Sequence, residues 1–195
     1  MSSRTTILEK IKQNQPKAIS ELPNLGTLGL ESFEILDKYK TVLKGIGGDF
    51  VEVPNYDAII SFVKKNYATE KRMITTIPEL AEIAATDWFN NDPHTLENVE
   101  LTLVKAHFGV AENSALWVTD VISGQRVAVF IPQYLAIVVH KKDIVETMHQ
   151  AYDRIGNQEY DFGTFIAGPS KTADIEQSLV LGAHGARGLT VFLMD

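Results

Sequence analysis

The chain contains no cysteine. That excludes disulfides, thiolate zinc sites and any cysteine-ligated iron–sulfur cluster held by its own residues. Long apolar runs are missing too. The longest, Leu135–Val139, is far too short to span a bilayer, so no membrane span is expected. Positive charge is in deficit: 18 Lys and Arg stand against 25 Asp and Glu, a formal net charge of −7. No basic field is available to displace counterions, which argues against a nucleic-acid partner. The five histidines, His94, His107, His140, His149 and His184, show neither H-x-x-x-H nor H-E-x-x-H spacing, and no metal site is expected. Met1–Gln15 is polar, with Ile7, Leu8 and Ile11 spaced for a short amphipathic helix rather than a secretory leader. The expected location is cytoplasmic.

What remains is the composition of a globular protein, 45% hydrophobic and 22% charged over 195 residues. A single domain of that length buries roughly 70% of the surface its unfolded chain exposes. Helical periodicity marks Ser32–Ile46, stopped by Gly47-Gly48, and a helix capped by Asn55 with Tyr56, Ile59, Ile60, Val63 and Tyr67 on one face. Asp143 and Glu146 have capping-box spacing, so the pattern predicts a helix over Asp143–Ile155, and another is predicted over Thr172–Leu181. Strands are predicted at Phe50–Val53, Arg72–Thr75, Val99–Val104, Ala115–Thr119, Leu135–His140, Thr164–Ala167 and Leu189–Met194. The apolar Leu135–His140 reads as a central strand covered on both faces. Strands alternating with helices, the last two joined through a helix, predict an α/β fold with a mostly parallel sheet flanked by helices. Residues 1–48 read as a helical segment packed on the same domain, and 49–195 as its α/β core. Trp88 and Trp117 read as core residues.

Three polar segments could carry chemistry. Gly168-Pro169-Ser170-Lys171-Thr172 lies between a predicted strand and a predicted helix, where free backbone N–H groups, hydroxyls and the Lys171 ammonium would hold an anion. An ordinary N-cap, with Asp174 complementing the helix dipole, is the plainer reading. The spacing is not that of a Walker loop. Gly182–Gly188 contains three glycines and His184, the residue there able to titrate near neutrality. It serves equally as a helix stop. Gly109–Ser114 places Glu112 and Asn113 in a turn, where the carboxylate could act as a base or a ligand to a substrate hydroxyl, or simply be solvated.

Together, Gly109-Val110-Ala111-Glu112, Ile166–Glu176 and Leu181–Gly185 resemble the LUD-domain family, in particular its lactate-utilisation protein C branch. The middle segment is the specific one, the family pattern being close to G-P-S-R-T-A-D-I-E. Where the family has Thr-Gly-Thr after Ala-Glu, this chain has Asn113-Ser114-Ala115, and Ala186 stands where the family has proline. The resemblance implies the α/β fold shared by ribose-5-phosphate isomerase, CoA transferases and 5-formyltetrahydrofolate cyclo-ligase. It also implies a cluster-free component of a system that oxidises L-lactate to pyruvate alongside iron–sulfur proteins. On that reading a small carboxylate or phosphorylated ligand binds with Glu112, Asp174 and His184 as the chemical groups. Asn113, Gly168, Pro169, Ser170, Lys171, Thr172 and Gly185 surround it. Alternatives are a free-standing enzyme acting on a phosphorylated or CoA-linked metabolite, and a non-catalytic assembly subunit. A regular helix after Thr172 would be ~15 Å long and would hold Asp174 and His184 apart, so Glu112 with Asp174 is the expected core pair.

Overall fold

Residues 2–15, 35–68, 70–172 and 180–195 are described by a computed structural model, which divides into two units, Met1–Glu31 and Ser32–Asp195. The smaller unit contains α1 (Ser3–Gln13), started by Ser2, whose hydroxyl accepts from the Thr5 N–H.

The larger unit begins with α2 (Ile35–Gly45), whose Tyr39 and Leu43 are buried. Gly47 ends it at φ +85°, and the Gly48 N–H reaches back to the Leu43 carbonyl at 2.9 Å. Strand β1 (Asp49–Val53) follows, then α3 (Tyr56–Asn66), where the Asn55 side chain accepts from the Ala58 N–H at 3.1 Å. The remaining elements are β2 (Met73–Thr75), β3 (Leu101–Lys105), β4 (Phe108–Val110), β5 (Leu116–Thr119), α4 (Asp120–Ser123), β6 (Tyr134–His140), β7 (Ile144–Val145), α5 (Met148–Ile155), β8 (Gly163–Ile166), β9 (Lys171–Thr172), β10 (Val180–Leu181) and β11 (Gly188–Met194).

Among the described residues, five strands form a parallel sheet in the order β1-β11-β6-β3-β2. β6 lies at its centre. Leu135, Ile137 and Val139 enter the core on one face, which also holds Tyr39 and Leu43 of α2. Ala136 and Val138 enter the core on the other, with Ile59 and Val63 of α3. The continuous apolar run of β6 follows from this double burial. A second sheet has the order β7-β4-β5-β8, with β5 antiparallel to both β4 and β8. The fold is α/β, a mostly parallel central sheet flanked by helices.

Three expectations are corrected. Asp143–Ile155 is not one helix: Lys141–Asp143 is a 3-10 turn, Ile144-Val145 forms β7 beside Gly109 and Val110, and α5 starts only at Met148. The β-branched pair Ile144-Val145 completes a sheet edge instead of a helical turn. The capping residues are Thr147, accepting from the Gln150 N–H, and Gln150, whose side chain accepts from the Glu146 N–H at 2.8 Å. Asp143 pairs instead with Arg154 at 2.6 Å.

Thr172–Leu181 is not a helix at either end. Lys171-Thr172 and Val180-Leu181 pair as antiparallel strands, and the Thr172 hydroxyl donates to the Val180 carbonyl at 3.2 Å. Residues 173–179, Asp174 among them, lie outside the described residues. Finally, β8 and β11 are not successive strands of one sheet, because β8 closes the second sheet against β5. Trp88 and Trp117 are both buried, as expected.

Candidate functional site

The hairpin of β9 and β10 decides the geometry of the site. Because Lys171-Thr172 pairs antiparallel with Val180-Leu181, the Gly168–Lys171 segment meets the Gly182–Gly188 loop. The Ser170 N–H donates to the Ala186 carbonyl at 2.8 Å, and the Ser170 carbonyl accepts from the Gly182 N–H at 3.1 Å. The two segments approach closely at Gly185, where a Cβ would stand 3.3 Å from the Ser170 Cβ. Gly168 has φ +71° and turns the chain against Ile46, beyond the last turn of α2.

Between these two segments lies a cavity of about 290 Å³, lined by Gly168, Pro169, Ser170, Lys171, His184 and Gly185 on its polar side. Its apolar wall is Val129, Phe130, Leu135, Phe165, Ile166 and Leu189. Leu135 and Leu189 are the second residues of β6 and β11. The cavity therefore sits at the amino ends of the central parallel strands, whereas a doubly wound sheet places its ligand at the carboxyl ends.

The expected site residues are distributed unevenly. His184 and Gly185 share the cavity with Gly168–Lys171. Lys171 has a second engagement, its ammonium donating to the Ile46 carbonyl, where a cation complements the end of α2. Thr172 faces its hairpin partner and is not among the described lining residues. Thr172 itself is paired in β9, and the helix start expected there lies otherwise in residues 173–179, outside the described residues.

Glu112 and Asn113 are also outside that lining. They occupy the turn between β4 and β5, where the Asn113 side chain accepts from the Ala115 N–H at 3.0 Å and Ser114 takes φ 55°. Glu112 accepts from the Met148 N–H at 2.8 Å, adding a carboxylate to the start of α5. The pairing of Glu112 with Asp174 lies outside the described residues. Among the described residues, no group of three His, Cys, Asp or Glu side chains is placed to hold a metal ion.

The apolar wall escaped sequence reading. Leu135 and Leu189 look like any core residue of a strand, and only the gap left beside them makes them lining residues. Phe130 sits within the apolar run Val127–Ile131 and gives no separate sequence signal; the structure leaves it 41% exposed.

A family model described as the LUD domain matches residues 34–194. The chain belongs to the LUD domain family. It is 27% identical over 157 residues to "Lactate utilization protein C" of Bacillus velezensis, covering 77% of this chain and 64% of that protein. To the protein of the same name from Bacillus pumilus it is 29% identical over 124 residues, covering 57% of this chain and 51% of that one. The chain thus spans about half the length of the curated relatives it matches. A crystal structure of a DUF162 family protein from Deinococcus radiodurans superposes with a TM-score of 0.64 at 17% identity, covering 83% of this chain and 97% of that one. That likeness establishes the shared fold.

Proposed function

We propose that this chain is a cluster-free component of lactate utilisation that binds a small anion, a short carboxylate or a phosphorylated acid, in the cavity between Gly168–Lys171 and His184–Ala186. The observation that carries the reading is the convergence of those two segments on one space. The names of the relatives supply the metabolic setting. Ser170 offers a hydroxyl donor, Lys171 a positive charge and His184 a ring nitrogen. Leu135, Val129 and Leu189 offer a surface for an alkyl group. A volume of about 290 Å³ is at the bottom of the usual range for small-molecule pockets, which suits a compact acid better than a coenzyme thioester. Lacking cysteine, the chain would depend on iron–sulfur partner proteins for electron transfer.

Thermal unfolding with L-lactate, pyruvate, inorganic phosphate, nucleotides and coenzyme A tests this. A ligand that binds only the folded state stabilises it by about 2.7 kcal/mol at a hundred times its Kd. The small acids are expected to raise Tm. A rise with coenzyme A alone would favour an enzyme of CoA-linked metabolites, and no rise with any compound would leave the assembly-subunit reading.

A further inference from the structure

The amino edge of the parallel sheet carries a second concavity, on the face opposite the first. Leu135 and Leu189 point to the α2 side, while their neighbours Tyr134 and Thr190 line a cleft of about 510 Å³ on the α3 side. Asp49, the first residue of β1, stands at one end of it, and Glu100, just before β3, at the other. Between them lie β11 and β6, so the two carboxylates are three strand spacings apart, about 14 Å across the sheet. Phe62 and Tyr67 of the α3 segment form the wall between, with Tyr134.

The chemistry of this lining is one-sided. Carboxylates, hydroxyls and aromatic rings are present, and no Lys, Arg or His is among its described lining residues. The Tyr67 hydroxyl lies 3.4 Å from the Thr190 hydroxyl, and burial holds the Tyr67 phenol above its ordinary pKa, so it remains a neutral hydrogen-bonding group. The Tyr67 and Tyr134 rings meet edge to face at 5.7 Å. Tyr134 already carries one cation, the Arg187 guanidinium 4.8 Å from its ring centroid. Each carboxylate is matched by a lysine from outside the cleft: Asp49 by Lys44, and Glu100 by Lys71 at 3.0 Å. The Lys44–Asp49 pair is exposed on both sides and of a kind that contributes little, whereas Glu100 is only 15% exposed and its Lys71 partner about half exposed.

We infer that this cleft binds a linear polyamine, its terminal ammonium groups at Asp49 and Glu100 and its methylene chain along Phe62, Tyr67 and Tyr134. An elongated cation matches the lining in length, in the placing of opposite charge at both ends and in the apolar, aromatic middle. An anion or a compact metal ion matches none of these. The site is independent of the small-acid cavity, since the two share no lining residue.

Calorimetric titration of the whole chain with putrescine, spermidine and spermine at fixed ionic strength tests the inference. Spermidine and spermine are expected to bind one per chain and more tightly than putrescine, which is too short to reach both carboxylates. Asp49→Asn and Glu100→Gln should each weaken spermidine about ten-fold, the loss of one charge-assisted contact. Binding that magnesium chloride matches, or that neither variant weakens, reports only general attraction to a chain of charge −7 and overturns the proposal. So does an absence of heat at millimolar spermidine. A crystal of the unaltered chain with spermidine provides a check that needs no variant: density running from Asp49 to Glu100 is expected, and density only elsewhere contradicts it.

Discussion

Two polar turns leave the same end of the four-stranded sheet, because β4 and β8 both run antiparallel to the strand between them. In the first, after β4, polar groups are used up internally. Glu112 is held by the Met148 N–H, Asn113 by the Ala115 N–H, and the Ser114 hydroxyl donates to the Asn113 carbonyl. In the second, after β8, the backbone does the holding. Ser170 is tied through its N–H and carbonyl to Ala186 and Gly182, and Ser170 and His184 line a cavity. The main chain ties the first turn as well, through the Ala111 and Glu112 N–H groups to the Val145 and Glu146 carbonyls. The difference is whether the polar side chains are spent on internal bonds or line a cavity. The partner that occupies Glu112 lies 36 residues away along the chain, so the local sequence of the turn does not announce it.

The sharpest way to break this contrast is to disturb the second turn's backbone. Gly168→Ala places a Cβ 3.0 Å from the Ile46 Cδ1 and 3.2 Å from its carbonyl oxygen, at φ +71°. A loss of about 2 kcal/mol in chemical denaturation is expected, as for other forced positive-φ positions. Gly45→Ala is the control. It meets nothing within 4 Å on a helix and should be neutral or slightly stabilising. Equal effects at the two positions would remove the main-chain argument.

Glu112→Ala should cost less, about 1 kcal/mol, the usual value of a lost contact at a helix start. The loss should show as earlier hydrogen exchange at α5 than in the unaltered chain. Unchanged protection there would mean that Glu112 does not cap α5.

The smallest effect concerns His107, next to the first turn's strand, with its Nε2 2.8 Å from the Thr119 hydroxyl. Desolvation, aided by the Arg154 charge, holds its pKa below the ordinary histidine value. The unfolded chain therefore takes up the proton first as pH falls through about 6.5. Stability present above that pH should decline towards the lower folded pKa. His107→Gln should flatten the decline between pH 7.5 and 5 in urea unfolding, and an unchanged slope would place its origin elsewhere.

Much of the fold was legible because local rules and tertiary burial agree in it. Asn55 caps α3, Gly47 stops α2, and the apolar β6 lies at the sheet centre. Reading failed where a local signal had two outlets. Asp143 and Glu146 have capping-box spacing, but Thr147 and Gln150 have it too, and pairing of Ile144-Val145 with β4 decides between them. The polar half of the site was legible as two glycine-containing loops. Their meeting was not, since it depends on β9 pairing with β10 across residues whose local pattern suits a helix.

The central claim is that the segments around Ser170 and His184 form one small-acid site of which Glu112 is no part. Calorimetric titration of L-lactate and pyruvate into the unaltered chain, Ser170→Ala, His184→Ala and Glu112→Ala tests it most directly. The account predicts about ten-fold or greater weakening in the first two variants, the scale of one lost hydrogen bond to a charged group, and unaltered affinity in the third. Binding abolished by Glu112→Ala and untouched by the other two would contradict it.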